Sequence, residues 1–199
     1  SSGAGASDGL LLRTDQDGEV IWSRTFGDEG EDELRAACLA DDGGVAIAGS
    51  QWSFGSGRDV FVSKLNEAGT SEWSYLYSTD SLEFAMDVIQ TFDDGFSIVG
   101  TTRAHESFNE HLHLKLSSSG DSLWSRHWGQ VNDQEATKHL QVPSGELYTV
   151  GYTETGGGGA KDMFLLRSTD QGDFIWGRTY GGIEDEIAAS LEVAPDGFI

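Results

Sequence analysis

The chain of 199 residues carries 34 acidic and only 12 basic residues, a formal net charge of −22. Nucleic acids and anionic membrane surfaces bind clustered lysines and arginines, whereas the basic residues here are scattered, so the sequence argues against both as partners. The 27 glycines, 2 prolines and 11% aromatic residues favour many short strands joined by turns over a disordered acidic chain. No apolar run approaches the roughly 18 residues that a membrane-spanning helix needs, and no membrane insertion is expected.

A glycine followed four residues later by a tryptophan recurs four times along the chain. The tryptophans are 51, 51 and 52 residues apart, and such a fixed period indicates a repeat architecture. The repeats are predicted at 8–58, 59–109, 110–161 and 162–199, within one domain. The four pairs are Gly18 and Trp22, Gly69 and Trp73, Gly120 and Trp124, and Gly172 and Trp176.

In each repeat, a first predicted strand leads through a glycine turn into a second strand that carries the tryptophan. The glycine supplies the positive φ of the hairpin, and Asp, Asn or Ser at the start of the turn caps it through its side chain. The first strand is apolar on both faces, as expected of a strand that lies between neighbouring sheets. It is predicted at 9–14, 60–65, 111–116 and 163–168.

A polar loop leads on to a third strand, and an Asp-Gly or Ser-Gly turn to a fourth. The third strand is predicted at 34–39 and begins at Ala85, Ala136 and Ile187 in the later repeats; the fourth is predicted at 45–49, 96–100 and 147–151. Loops rich in glycine and serine are predicted at 53–58, 102–109 and 155–161. The glycine run at 156–159 is interpreted as a flexible connection and not as a phosphate-binding loop, because no helix follows it.

Four antiparallel strands in about 50 residues is the size of one β-propeller blade. The sequence therefore predicts an all-β fold, a β-propeller of four-stranded antiparallel blades, with about four repeats in this chain as a fragment of a larger propeller. The repeated tryptophan is interpreted as inter-blade packing, with its ring over the backbone of the next sheet. Cys38 aligns with apolar residues of the other repeats and is predicted to be a buried small hydrophobe; as the single cysteine it forms no internal disulfide.

The pattern D-x-F-L-L-R-T-D-x-x-G-x-x-x-W-x-R-T-Y-G-G-x-x-x-D-E, followed by D-G-G-x-x-x-x-G, resembles a secreted bacterial β-propeller repeat family. The resemblance covers essentially the whole chain and is clearest at 162–186 and 8–49. The G-x-x-x-W part is more distantly similar to the tryptophan-docking motif of quinoprotein propellers. The resemblance implies a propeller, commonly of seven or eight blades, on a secreted or cell-surface protein, but no particular reaction.

Two sets of residues are candidate metal ligands, although no cofactor is expected. His111 and His113 project the same way from one strand and offer two imidazoles for zinc; the alternative is that they replace the apolar residues of the other repeats. Asp15 and Asp17 offer oxygens for a Ca²⁺ loop. The alternative for the aspartates, that they cap the turn, is favoured because the third repeat has only serines there.

A set of acidic residues at the start of the third strands is a candidate ligand-binding site. In a ring these residues would lie at one height on one face, where they could bind a cation, an amine or sugar hydroxyls. The alternative is that they cap loop amides and keep the face soluble. The set contains Asp32, Glu83 and Asp185, with Gln134 at the corresponding place in the third repeat.

The sequence contains no recognisable catalytic motif: no G-x-S-x-G, no H-E-x-x-H and no Cys/His pair with an orienting acid. We therefore expect a non-catalytic β-propeller repeat module of a secreted or cell-surface protein, serving binding, interaction or display, with a protein or glycan as ligand. The alternative is a fragment of a glycan-active or quinone-dependent propeller enzyme whose catalytic residues lie outside this chain.

The two end sheets of a row of blades are expected to associate with other protein surfaces. An open arc would leave apolar sheet faces in water, with Leu11 at one end and Leu165 at the other, and such faces find partners. Self-association is therefore predicted, with a two-chain eight-bladed ring narrowly ahead of a four-bladed monomer.

Overall fold

A computed structural model describes residues 7–53, 57–79, 81–105, 108–129, 132–155, 160–197 and 199. Within these residues every regular element is a β-strand, and 14 strands form four sheets in which all strand pairs are antiparallel. The prediction of an all-β fold is confirmed. None of the described residues forms a helix that is long and apolar enough to cross a membrane.

The strands follow one another through the sheets in chain order, so each sheet is a simple meander. Sheet 1 contains β1 (Gly9–Thr14) and β2 (Val20–Phe26), and sheet 2 contains β3 (Glu33–Leu39), β4 (Val45–Ser53), β5 (Gly57–Leu65) and β6 (Ser71–Tyr77). Sheet 3 contains β7 (Glu83–Gln90), β8 (Phe96–His105), β9 (Phe108–Leu116) and β10 (Ser122–Trp128). Sheet 4 contains β11 (Gln134–Gln141), β12 (Leu147–Thr153), β13 (Asp162–Ser168) and β14 (Phe174–Tyr180).

Each four-stranded sheet combines the third and fourth strands of one repeat with the first and second strands of the next. The expectation of a four-stranded blade is therefore wrong for sheet 1, because only β1 and β2 come before β3 within the described residues. The third strand predicted from Ile187 is also wrong: the described residues after β14 form no strand.

The hairpins are longer than the sequence predicts. Pairing continues to Ser53 opposite Gly57 in sheet 2 and to His105 opposite Phe108 in sheet 3. The described residues of the loops predicted at 53–58 and 102–109 therefore belong to strands. The glycine run at 156–159 lies outside the described residues.

Successive sheets pack face to face. Strand β7 packs against β3 and β4 of sheet 2, and β11 packs against β7, β8 and β9 of sheet 3. The first strands of the four-stranded sheets are thus neighbours, whereas the tryptophan strands β6, β10 and β14 form the opposite edges. The core between sheets 2 and 3 is apolar and includes Val60, Val62, Leu112 and Leu114.

At sheet 1 the structure exposes a different leucine face from the one that the sequence predicts. Leu10 and Leu12 are 62% and 49% exposed, whereas Leu11 is half-buried. Side chains alternate along β1, and Leu11 is on the side that faces sheet 2. Cys38 is half-buried against the core, and desolvation raises the pKa of its thiol to about 11.

Candidate functional site

The tryptophan of each of the first three repeats lies across the turn glycine of the following repeat. A Cβ placed on Gly69 would be 2.7 Å from the ring of Trp22, and the corresponding distance from Gly172 to the Trp124 ring is 2.8 Å. The indole Nε1 of Trp22 also donates a hydrogen bond to the Glu67 carbonyl at 3.1 Å. These indoles therefore join neighbouring sheets, as predicted, but they are half-buried and not largely buried because they lie on edge strands.

A network of four buried polar side chains crosses the interface between sheets 3 and 4. The Asp87 carboxylate lies 2.9 Å from His139 Nδ1, and His139 Nε2 lies 2.9 Å from the Ser97 hydroxyl. The same hydroxyl is 2.6 Å from His113 Nε2. We call Asp87, Ser97, His113 and His139 the polar quartet; each is at most 4% exposed.

The polar quartet replaces an apolar set at the preceding interface. One repeat earlier, at the same positions between sheets 2 and 3, the chain has Ala36, Ala46, Val62 and Val88, which pack in the apolar core. The polar network is therefore a local property of one interface and not a feature of the repeat.

The order Asp87–His139–Ser97 has the hydrogen-bond pattern of a nucleophilic triad, in which a carboxylate orients a histidine beside a hydroxyl. Ser97 is 0% exposed, however, and its hydroxyl is held between two histidines. A nucleophile needs a path to its substrate, and this hydroxyl has none. The network instead ties β7, β8 and β9 of sheet 3 to β11 of sheet 4.

Burial controls the protonation of this network. Desolvation, with a contribution from the charge of His139, lowers the pKa of His113 well below its usual value, so this ring is neutral near pH 7. Burial alone would raise the pKa of Asp87, but hydrogen bonds from His139 and Lys138 outweigh it and lower the pKa. Lys138 Nζ lies 2.6 Å from the Asp87 carboxylate.

His111 is a fifth buried polar side chain, next to the quartet. It is 1% exposed and packs at 4.9 Å from the Trp128 ring and 5.8 Å from the Phe164 ring, measured between centroids. Desolvation and the neighbouring histidines lower its pKa to about 3, so the ring is neutral at physiological pH. Neither ring nitrogen has a hydrogen-bond partner within the described chain.

His111 lines a cleft of about 360 Å³ between sheets 3 and 4. The cleft exists because the facing positions on sheet 4 are small: Gly177 and Thr179 stand where sheet 3 has Ser125 and His127. On the edge strand of sheet 3, Arg126 takes the position that Tyr75 holds in sheet 2, and its guanidinium reaches the carbonyl of Gln171.

The walls of the cleft combine aromatic rings with neutral polar groups. Trp128 of sheet 3 and Phe164 of sheet 4 line the cleft, and the ring of Phe174 lies over Gly177, 3.5 Å from where its Cβ would be. Gln134 and Thr155 also line the cleft, and the Thr155 hydroxyl is buried without a hydrogen-bond partner among the described residues. This arrangement can hold a small amphipathic ligand that stacks on a ring and exchanges hydrogen bonds with uncharged groups.

The candidate metal ligands have the following neighbours in the structure. The rings of His111 and His113 lie side by side with centroids 6.0 Å apart, and His113 is bonded to Ser97. The described residues contain no group of three or more His, Cys, Asp or Glu side chains that could hold a metal ion. Asp15 Oδ1 accepts hydrogen bonds from the backbone amides of Asp17 and Glu19, each at 2.9 Å, which is the turn cap of the alternative interpretation.

The acidic residues at the start of the predicted third strands accept hydrogen bonds from neighbouring backbone amides and hydroxyls. Asp32 accepts hydrogen bonds from the amides of Asp28 and Trp52, and Asp185 accepts one from the amide of Lys161. Glu83 is fully buried and accepts hydrogen bonds from the hydroxyls of Thr79 and Thr102. Desolvation raises the pKa of Glu83. The bonds of Asp32 and Asp185 to backbone amides are those that the loop-capping alternative expects.

Sequence reasoning missed both the polar quartet and the cleft. Their signal was present as a departure from the repeat, since polar or small residues replace apolar or larger ones at aligned positions. That signal could be interpreted only once the faces that meet between sheets were known.

No protein-family model matches this sequence, and no curated protein matches it. A solved structure of a protein of unknown function from Bacteroides caccae is similar at a TM-score of 0.38 and 11% sequence identity. The match covers 89% of this chain and 79% of the other. A likeness at this score carries no argument about function.

Proposed function

We propose that this chain is a non-catalytic β-propeller module of a secreted or cell-surface protein, and that it binds a neutral, hydroxyl-rich ligand such as a glycan unit. The propeller is supported by four-stranded meander sheets at a period of about 51 residues whose first strands are neighbours. The secreted or cell-surface setting rests on the sequence resemblance. The ligand site is the cleft between sheets 3 and 4.

The observation that carries this proposal is His111. A neutral imidazole has one donor and one acceptor nitrogen, and leaving both unpaired in a buried position is costly. His111 meets that condition on the wall of a cleft large enough for a small ligand. A ligand hydroxyl can accept a hydrogen bond from one ring nitrogen of His111 or donate one to the other. It can likewise exchange a hydrogen bond with the buried Thr155 hydroxyl.

The chemistry of the walls favours a neutral sugar over a charged ligand. Arg178 borders the cleft, but its guanidinium stacks on Trp176 at 5.7 Å. Arg178 is paired in the β-ladder with Leu165, which is on the face turned away from sheet 3, so the charged group is directed away from the cleft. Aromatic faces beside neutral donors and acceptors suit the apolar face and hydroxyl edge of a pyranose ring. The buried Ser97 hydroxyl gives no support to a hydrolytic alternative.

Titration with a panel of neutral mono- and oligosaccharides tests the proposal, with indole fluorescence and calorimetry as readouts, since Trp128 forms one wall. The matched variant is Gly177→Ser with Thr179→His, which fills the cleft with the residues that sheet 3 carries at the same positions. Loss of binding in this variant is expected. The control is Leu76→Thr, which places on sheet 2, outside the cleft, the residue that sheet 4 carries at the aligned position 179.

Binding that survives the filled cleft would show that the ligand sits elsewhere. Binding of none of the sugars, at concentrations up to the millimolar range, would contradict the ligand class proposed here.

A further inference from the structure

The joints between neighbouring sheets share one design, which includes an arginine two residues after the tryptophan in the first and third joints. Arg24 stacks on Trp22 at 5.6 Å and donates from Nε to the Gly69 carbonyl at 2.6 Å. In the third joint Arg126 stacks on Trp124 at 5.6 Å and donates to the carbonyl of Gln171 at 3.4 Å. In the second joint, Trp73 donates to the carbonyl of Ser118 at 2.9 Å.

One half of this joint is left without its counterpart at sheet 1. The turn glycines of the next three repeats are each covered by an indole, but a Cβ on Gly18 would meet no atom of the described residues within 4 Å. The φ angle of Gly18 is +85°, close to the +74°, +86° and +76° of its three equivalents. The Gly18 turn therefore has the backbone of a docking turn and no tryptophan over it.

The other half is left at sheet 4. Arg178 stacks over Trp176 at 5.7 Å and donates to the carbonyl of Gly177 at 3.1 Å. Arg24 and Arg126 make the same bond to the residue before them, at 2.8 and 3.0 Å, while they are docked. The Trp176–Arg178 pair therefore already has the conformation of a docked pair.

We propose that Trp176 and Arg178 of one copy of this chain dock on the Gly18 turn of a second copy. The second copy is favoured as occupant because each copy presents both halves of a joint that the chain itself uses three times. Pre-organised halves lose little conformational freedom on binding. The turn at Asp15 to Gly18 also carries two aspartates, which suit an approaching guanidinium.

The flanking faces extend the contact beyond the tryptophan. In the first joint, Phe26 packs on Phe61 with centroids 6.1 Å apart. Tyr180 of sheet 4 corresponds to Phe26, and Leu10 of sheet 1 corresponds to Phe61. These two side chains are 48% and 62% exposed. The contact joins unlike surfaces, so two chains close into a ring if both joints form at once.

Sedimentation equilibrium of the 199-residue chain across a wide concentration range, in about 0.15 M salt, tests this joint. We expect a monomer–dimer equilibrium that strengthens with added salt, because screening weakens the repulsion between two chains of charge −22. Trp176→Ala should weaken dimerisation at least about tenfold, as for a tryptophan hot spot. Trp52→Ala removes a tryptophan that is 46% exposed outside both halves and should leave the dimer unchanged.

A complementation experiment separates this joint from any other contact. Gly18→Ala blocks the turn but keeps Trp176, whereas Trp176→Ala keeps the turn; each variant alone should be monomeric, and their mixture should recover one joint. A wild-type chain that stays strictly monomeric at all concentrations would overturn the proposal. So would a Trp176→Ala variant that dimerises as the wild type does, with unchanged circular dichroism.

Discussion

The indole of Trp73 lies so close over Gly120 that a Cβ on the glycine would be 2.7 Å from the ring. Gly120 also has a φ of +86°, a region that side chains disfavour. Two separate constraints, one from the turn and one from the neighbouring sheet, thus require glycine at this position. Gly18 has the same positive φ but no indole above it, so a comparison of the two glycines separates the two constraints.

We expect Gly120→Ala to destabilise the fold more than Gly18→Ala does. Both exchanges place alanine at nearly the same positive φ, but only the first drives a methyl group into an indole. The clash should add about 1–3 kcal/mol to the loss in unfolding free energy. Urea unfolding at low protein concentration, where the chain is monomeric, measures both; equal losses would contradict docking of Trp73 on Gly120.

Trp73→Ala and Trp176→Ala should differ strongly in their effect on the monomer. Trp73 packs edge-on to Phe96 at 5.5 Å and donates a hydrogen bond to the next repeat. Its loss should therefore lower the unfolding free energy by about 2–4 kcal/mol, somewhat less than the loss of a fully buried tryptophan. Within the described residues Trp176 covers no turn glycine, and its loss should cost about 1 kcal/mol or less. Guanidinium unfolding of dilute samples checks this, and similar losses for both would refute the inter-sheet role.

Stability should fall in mild acid because of His111. Its pKa is about 3 when folded and 6.5 when unfolded, so between these values the unfolded chain binds a proton that the folded chain does not. Above pH 6.5 both forms are neutral and this contribution is fully present. Below pH 6.5 it is lost by up to about 1.4 kcal/mol per pH unit.

Urea midpoints between pH 4.5 and 7.5, for wild type and His111→Leu, measure this effect. The window lies above the range in which Asp87, with its lowered pKa, takes up a proton. The variant should show a smaller slope of stability against pH, since the other titrating groups are shared. An unchanged slope would mean that His111 is not buried in the folded chain.

The polar quartet should be replaceable as a whole but not in part. Asp87→Ala alone leaves the Nδ1 atom and the backbone amide of His139 without their acceptor in the core and should cost about 3–5 kcal/mol. The fourfold exchange Asp87→Ala, Ser97→Ala, His113→Val and His139→Val installs the residues of the preceding interface. It should be neutral or stabilising, because apolar groups often replace buried ionic networks without loss.

Thermal unfolding of both variants tests this prediction. A fourfold variant that is less stable than the single one would show that the two interfaces differ in backbone geometry and that the quartet is required by it.

The amino-acid sequence determined the features of this protein that depend on local physics. Alternating side chains define strands such as β1 and β9, and turns that need a positive φ select glycine at Gly18, Gly69, Gly120 and Gly172. The spacing of the tryptophans follows from the same local pattern, so the period and the all-β class could be predicted.

The tertiary structure decided which strands share a sheet and which side chains meet. A strand that is apolar on both faces does not indicate on which side of a repeat boundary its sheet begins, so the first sheet was predicted with too many strands. Asp87, Ser97 and His139 are far apart in sequence and meet only because sheet 4 packs on sheet 3. The cleft beside His111 arises from side chains that are small on one face and turned aside on the other, and only the packing of two sheets reveals such a space.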